Sequence, residues 1–299
     1  MSAEFLEALA GRHEVAAAVT QPEKPSGRGR KVHSTPVAEC AGKLGIPVFT
    51  PGDLKDTGFA GKVRDTGALT GIVVAYGRIL PREVFDIPEH GCFNVHFSLL
   101  PAYRGAAPIQ WALIKGEERT GVTVFRIDEG LDTGAVYAVR EVKISEDDDA
   151  RTLRERMVRP GIEAMFEAMK KAETGAEPRA QEGEAGTAPP LNKEDGRIDW
   201  SMPAADIRNL IRGTVPWPGA YTRMGGKILK ITGAAVPEGA GGKSRRPGTI
   251  ESVVKNEGFL VSCGSGRLLV RKVKMEGRKE LPACVFLQGA RIAEGDSFE

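Results

Sequence analysis

The apolar rhythm of the chain changes once, near residue 190, and that change constrains the fold more than any single residue. In the first half, short apolar runs at residues 15–19, 48–49, 72–75, 92–97, 122–127 and 136–142 alternate with helix-like stretches such as 37–44, which Gly45 and Pro47 end. Strands separated by helices predict an α/β domain with a doubly wound, largely parallel sheet. Residues 150–172 then carry Ile162, Met165, Phe166 and Met169 at i, i+3, i+4, i+7 spacing. That stripe predicts a helix packed on the sheet, broken or kinked at Pro160. The chain opens on a helix-like segment, residues 2–10, whereas a doubly wound domain ordinarily begins with the strand that feeds such a helix.

Residues 173–190 are rich in Gly, Ala, Glu and Pro and lack periodic apolar positions, which reads as a linker or a long excursion. A helix-like stretch at 204–212 and the rigid turn Pro216-Trp217-Pro218-Gly219 follow. Five short β-like runs come next, at 220–223, 227–236, 248–254, 258–263 and 266–275, and predict a small barrel or sandwich. A length of 299 residues suits two domains, with an expected division into residues 1–185 and 186–299.

Charge separates the same two parts. The net charge of +2 hides 18 Lys+Arg against 12 Asp+Glu in residues 186–299, and 24 against 28 in residues 1–185. A basic second part supplies a field for a polyanion, although an ordinary solvated surface accounts for such counts too. No apolar run approaches the roughly 18 residues of a membrane span, and the N-terminus has no apolar segment of the signal-peptide kind. Cys40, Cys92, Cys263 and Cys284 form no CxxC pair, which suits a reducing compartment and predicts a cytoplasmic protein.

The densest chemistry lies in residues 94–109. Alternation along a strand puts Asn94 and His96 on one face, just before a Pro- and Gly-containing loop, at the strand edge where open α/β sheets bind ligands. An amide beside an imidazole suits a reaction in which a carbonyl oxygen becomes negative, since both can donate to it. A lone strand histidine is more often structural, and only the Asn partner and the loop weaken that reading. Asp132, in the run Asp128-Glu129-Gly130-Leu131-Asp132-Thr133-Gly134, sits in a glycine-flanked turn from which a carboxylate can orient a histidine or relay a proton. Asp and Gly form turns for their own sake equally often. No His or Cys cluster supports a metal there. Residues 21–31 form a polar loop with four basic side chains that can meet phosphates, or simply be solvated.

Residues 94–109 together with 128–134 resemble the folate-dependent formyltransferase family. The resemblance implies catalytic roles for Asn94, His96 and Asp132, and 10-formyltetrahydrofolate as co-substrate, with no metal. It implies folate contacts at Tyr76, Gly77, Arg78, Ile79, Leu80, Ser98, Leu99, Leu100, Pro101, Asp128 and Gly130. The loop from Gln21 to Lys31, followed by Ser34-Thr35-Pro36-Val37, is similar to the RNA-contacting insertion of the members that act on initiator Met-tRNA. Gly196-Arg197-Ile198-Asp199-Trp200 and Pro216-Trp217-Pro218 fit the same members, which end in an OB-like β-barrel. The resemblance therefore implies tRNA contacts at Lys24, Arg28, Arg30, Lys31 and Lys193, a monomer, and formyl transfer to the methionine amine. Family members also carry a strand and a Gly-Thr-Pro type turn ahead of the helix matched by residues 2–10. This chain lacks both, so a gap in the sheet and a weakened donor pocket are expected. The competing readings are a formyltransferase for a small amine, such as a glycinamide nucleotide or an amino sugar, and an RNA-binding protein with a decayed transferase core.

Overall fold

The computed structural model of the chain describes residues 1–26, 31–237, 245–289 and 292–299. Along the first part run α1 (Ser2–Ala10), β1 (Ala18–Val19), β2 (Lys24–Ser26), β3 (Lys31–His33), α2 (Pro36–Lys43) and β4 (Val48–Phe49). Then come α3 (Thr57–Asp65), β5 (Gly71–Val74), α4 (Arg82–Phe85), β6 (Cys92–His96), α5 (Pro108–Ile114), β7 (Arg119–Arg126), β8 (Val136–Lys143) and α6 (Ala150–Glu173). The remainder comprises α7 (Ala204–Thr214), β9 (Tyr221–Met224), β10 (Lys227–Ala235), β11 (Ile250–Val254), β12 (Gly258–Ser262), β13 (Arg267–Met275), β14 (Leu281–Pro282) and α8 (Ala283–Gly289). Two compact units result, each discontinuous in sequence. The first takes Met1–Ala106, Arg119–Lys143 and Arg154–Ala188; the second takes Ala107–Glu118, Ile144–Leu153 and Pro189–Glu299.

The first unit is the α/β domain. β1 pairs with β4 and β5 with β6, both parallel, and the sheet turns antiparallel where β7 joins β6 and β8 joins β7. Local sequence starts the helices: Thr35 Oγ1 accepts from the Ala38 N–H ahead of Pro36 in α2, and Asp56 caps α3 through the Gly58 N–H. Phe93 of β6 and Phe125 of β7 are fully buried, Phe125 opposite Asn94 in the register, and Phe5 of α1 meets Phe97 edge-on at 6.2 Å. The strands around the parallel pairs fall into two separate pieces, β1–β4 and β5–β6–β7–β8. Between them lies a mainly apolar cleft of about 280 Å³, lined by Phe5, Val19, Ile72 and Val74 among others. Ser2 Oγ donates to the Val74 carbonyl at 3.0 Å and Gln21 Nε2 to the Tyr76 carbonyl at 2.8 Å.

The structure departs from the sequence expectations in several places. α6 runs on through Pro160, so the expected break does not occur there. Met157, Ala164, Met165 and Ala168 are all fully buried along it, and burying such a stripe outweighs the roughly 3 kcal/mol that an interior proline costs. Of the two readings of residues 173–190, the free linker fails and the long excursion stands. Arg179 exchanges two backbone hydrogen bonds with Val136, Gly186 bonds to Pro101 and Arg104, and the Ala188 N–H donates to the Arg104 carbonyl at 2.6 Å. The expected run at 15–19 also shrinks to the two residues of β1. Residues 24–26 and 31–33 form a short antiparallel pair, β2 with β3, that alternation did not reveal.

The second unit holds an antiparallel sheet in the order β11–β12–β13–β10–β9, with β14 added to β13. Every expected run of this half appears as a strand, and the register shifts of β10 around Gly233 give the sheet its curl. Its core is Ile207 and Ile211 of α7 against Leu229, Ile231, Ile250, Phe259, Val261 and Val270. Trp200 stacks on Phe298 at 5.4 Å and spends its indole N–H on Thr222 Oγ1.

Candidate active site

Asn94 and His96 occupy alternate positions of β6, so both side chains leave one face of the strand. β5 runs parallel in register with it, Val73 opposite Asn94 and Val74 opposite Val95. The loop that follows β5 therefore emerges at the same edge of the sheet. His96 is 5% exposed. Its Nε2 lies 2.9 Å from the Tyr103 carbonyl oxygen. That oxygen can only accept, which assigns the proton to Nε2 and leaves Nδ1 as a lone pair. Nδ1 faces Asp132 Oδ2 at 3.6 Å, a separation at which the carboxylate acts by charge rather than by a hydrogen bond. Burial pushes the imidazole pKa down, against the opposing pull of Asp132 and the Tyr103 carbonyl. The ring is thus held neutral in a nearly dry site, with a basic nitrogen beside a carboxylate.

Asp132 ties the site together. Its Oδ1 accepts from Asn94 Nδ2 at 3.3 Å and its Oδ2 from the Gly105 N–H at 2.8 Å. It reaches there from the left-handed region, with φ 54°, and Tyr103 sits likewise at φ 62°. Two glycines make these loops sterically feasible. A Cβ on Gly134 would lie 1.7 Å from the Arg126 carbonyl oxygen, and one on Gly105, itself at φ 123°, would lie 2.6 Å from that of Ala188.

The remaining sequence-predicted positions divide into groups. Asn94, His96 and Asp132 form one cluster. Tyr76, Gly77, Arg78, Ile79 and Leu80 make the loop after β5, where Gly77 takes φ 75° and Arg78 Nη1 donates to the Pro51 and Gly52 carbonyls. Burial raises the Tyr76 phenol pKa, with Arg78 opposing it. Leu80 packs with Leu54 and Phe59, whereas Ile79 is 80% exposed. Ser98, Leu99, Leu100 and Pro101 continue from β6. Ser98 is fully buried and its hydroxyl closes the turn on the Ala102 carbonyl at 2.6 Å. Asp128 Oδ1 accepts from the Gly130 N–H and from Thr133 Oγ1, so that side chain shapes the Asp132 loop. Lys24 and Lys31 lie on the backbone of β2 and β3, Lys193 is exposed in the second unit, and Arg28 and Arg30 fall outside the described residues.

Sequence reasoning missed the backbone partners, the Tyr103 carbonyl and the Gly105 N–H, because their roles depend on φ rather than on side-chain type. It also missed Gln181, whose Nε2 donates to the Asp132 and Gly134 carbonyls at 2.8 and 3.0 Å. The one available signal was that Gln181 is the single amide side chain in residues 173–190. Among the described residues, no group of three or more His, Cys, Asp or Glu could hold a metal ion, and no helix is long and apolar enough to cross a membrane.

Comparison with known proteins adds to this geometry. A formyl transferase family model matches residues 3–169, and one for the formyl transferase C-terminal domain matches residues 190–291. The methionyl-tRNA formyltransferase of Geobacter metallireducens is 44% identical over 284 residues, 94% of this chain and 90% of its own. That of Thermodesulfovibrio yellowstonii is 44% identical over 296 residues, covering 98% and 94%. Among solved structures, WlaRD, a sugar 3N-formyl transferase crystallised in the presence of dTDP and 5-N-formyl-THF, superposes with a TM-score of 0.67 over 93% of this chain and 95% of that one. At 17% identity this likeness speaks for the fold alone.

Proposed function

The chain belongs to the methionyl-tRNA formyltransferases of the formyl transferase family, and from that footing we propose that it transfers a formyl group from 10-formyltetrahydrofolate to the amino group of methionine on initiator Met-tRNA. The observation that carries this reading is the buried His96 set between the Tyr103 carbonyl and Asp132, with Asp132 also holding Asn94, at the ligand-binding edge of the sheet. On this reading the methionine nitrogen attacks the formyl carbon as His96 Nδ1 takes its proton. Asp132 stabilises the imidazolium that forms. The second N–H of Asn94, together with the newly protonated Nδ1, donates to the tetrahedral oxyanion. Collapse breaks the bond to folate N10 and returns the proton to that nitrogen. The products are formyl-methionyl-tRNA and tetrahydrofolate, with no covalent enzyme intermediate.

The loops at Tyr76–Leu80, Ser98–Pro101 and Asp128–Gly130 are proposed to receive the folate, the first of them because it shares the sheet edge with Asn94 and His96. Residues 1–185 would then be the catalytic part and residues 186–299 the tRNA-binding part, with Lys24, Arg28, Arg30, Lys31 and Lys193 facing phosphates. The test is single-turnover transfer from 10-formyltetrahydrofolate to charged initiator tRNA, beside glycinamide nucleotide and amino-sugar acceptors. Formylation of Met-tRNA alone is expected. Transfer to a small amine in its place, or tRNA binding with no transfer, would refute the reading.

A further inference from the structure

We propose that Gln181 is a positioning residue for formyl transfer: its side-chain amide clamps the left-handed turn at Asp132 and so holds that carboxylate against His96. This rests on the function proposed above. The two groups that flank His96 come from two different loops, and each depends on a non-glycine residue at positive φ, Tyr103 at 62° and Asp132 at 54°. Such backbone persists only where its surroundings over-determine it. What surrounds both loops is one strap, residues 179–188. It grips the first loop through its backbone: the Arg104 N–H donates to the Gly186 carbonyl at 2.8 Å, and the Ala188 N–H donates to the Arg104 carbonyl at 2.6 Å. It grips the second through Gln181 Nε2, which donates to the Asp132 and Gly134 carbonyls at 2.8 and 3.0 Å.

The amide is also locked from its other side. Arg104 Nε and Nη2 both donate to Gln181 Oε1, at 3.2 and 2.6 Å. The guanidinium fixes which end of the amide is oxygen, and that orientation directs both N–H bonds at the carbonyls of the turn. Arg104 and Gly105 follow Tyr103 directly, and the Gly105 N–H binds Asp132 Oδ2. The circuit is therefore closed, from Arg104 through Gln181 to the Asp132 turn and back through the carboxylate to Gly105. Position 181 needs an acceptor and a double donor on one planar group, and glutamine supplies both. Glutamate has the same shape but would set an acceptor against two carbonyl oxygens. Methionine has similar length and no polar groups.

The test compares Gln181→Met, Gln181→Glu and Arg104→Ala with the unaltered protein. Misplacing a catalytic group by about 1 Å can cost on the order of a hundredfold in rate. Gln181→Met and Gln181→Glu are expected to lower kcat at least about tenfold, with the glutamate variant worse, while KM for folate and for Met-tRNA moves less than about threefold. Arg104→Ala, which frees the amide to flip, is expected to cost less. Hydrogen exchange of the Gly105 amide should quicken at least about tenfold in both Gln181 variants, with the Val95 amide unchanged. Unaltered kcat and Gly105 protection would overturn the proposal. So would a loss that raises exchange at Val95 and Gly105 alike, because the residue would then only support the fold. If the unaltered protein transfers no formyl group to Met-tRNA, the functional reading fails, and Gly105 exchange still decides whether Gln181 holds Asp132.

Discussion

His96 spends one ring nitrogen on a backbone carbonyl and keeps the other beside a carboxylate, so its chemistry depends on which proton the pocket tolerates. Burial disfavours the charged ring and holds its pKa below the ordinary imidazole value of about 6.5. The unfolded chain therefore binds this proton more readily than the folded one. The contribution of His96 to stability is whole above about pH 6.5 and drains away as pH falls below it. Thermal midpoints measured from pH 7 to pH 5 should fall, and His96→Gln should flatten the slope. The same sign governs the reaction, because a neutral Nδ1 is needed to accept the amine proton: formylation should decline on the acid side. His96→Ala is expected to lose about 10²–10³ in single-turnover rate, the usual effect of removing one oxyanion donor, while Met-tRNA binding stays within a few-fold. A mutant rate within a few-fold of the original would make His96 a structural residue.

At the scale of elements, two helical glycines give opposite expectations from the same substitution. Gly61 lies inside α3, and a Cβ there meets nothing within 4 Å. Gly61→Ala should stabilise by about 0.5–1 kcal/mol through helix propensity alone. Gly161 follows Pro160 in α6, and a Cβ there would lie 2.8 Å from Cζ of Phe5, a ring that is 1% exposed and borders the apolar cleft. Overpacking of that kind costs about 1–3 kcal/mol, so Gly161→Ala should lower the unfolding midpoint while Gly61→Ala raises it. Equal shifts in one direction would mean that the Phe5 ring yields. This pair also marks what the sequence made legible. The stripe of Met165 and Met169 announced α6, but whether Pro160 would break it depended on what the stripe is buried against, which lies outside the window. Asn94, His96 and Asp132 could be named because side-chain type and strand alternation carry that chemistry. The Tyr103 carbonyl, the Gly105 N–H and Gln181 could not, since they act through loop geometry and pairings far apart in sequence. Residues 173–190 left a linker and a long excursion undivided because a strap held by backbone hydrogen bonds needs no apolar period.

Across the whole chain, charge supplies the discriminating measurement. A small amine needs no extended cationic surface, whereas a tRNA carries a phosphate on every nucleotide, and each phosphate neutralised releases condensed counterions. Four basic side chains stand within residues 24–31, and residues 186–299 carry an excess of 18 Lys+Arg over 12 Asp+Glu. If the four loop cations alone met phosphates, affinity would fall on the order of a hundredfold between 50 and 200 mM salt, and a contribution from the basic C-terminal part would steepen that fall. Arg28→Ala should reduce the slope of log affinity against log salt by about 1. It should also slow transfer to Met-tRNA far more than it weakens folate binding. Folate affinity serves as the internal control, because it is read in the same protein without the polyanion. Parallel losses in both would mean that the loop supports the fold rather than the RNA. A flat salt response would remove the argument for tRNA altogether and leave the small-amine acceptor as the better account of the same active site.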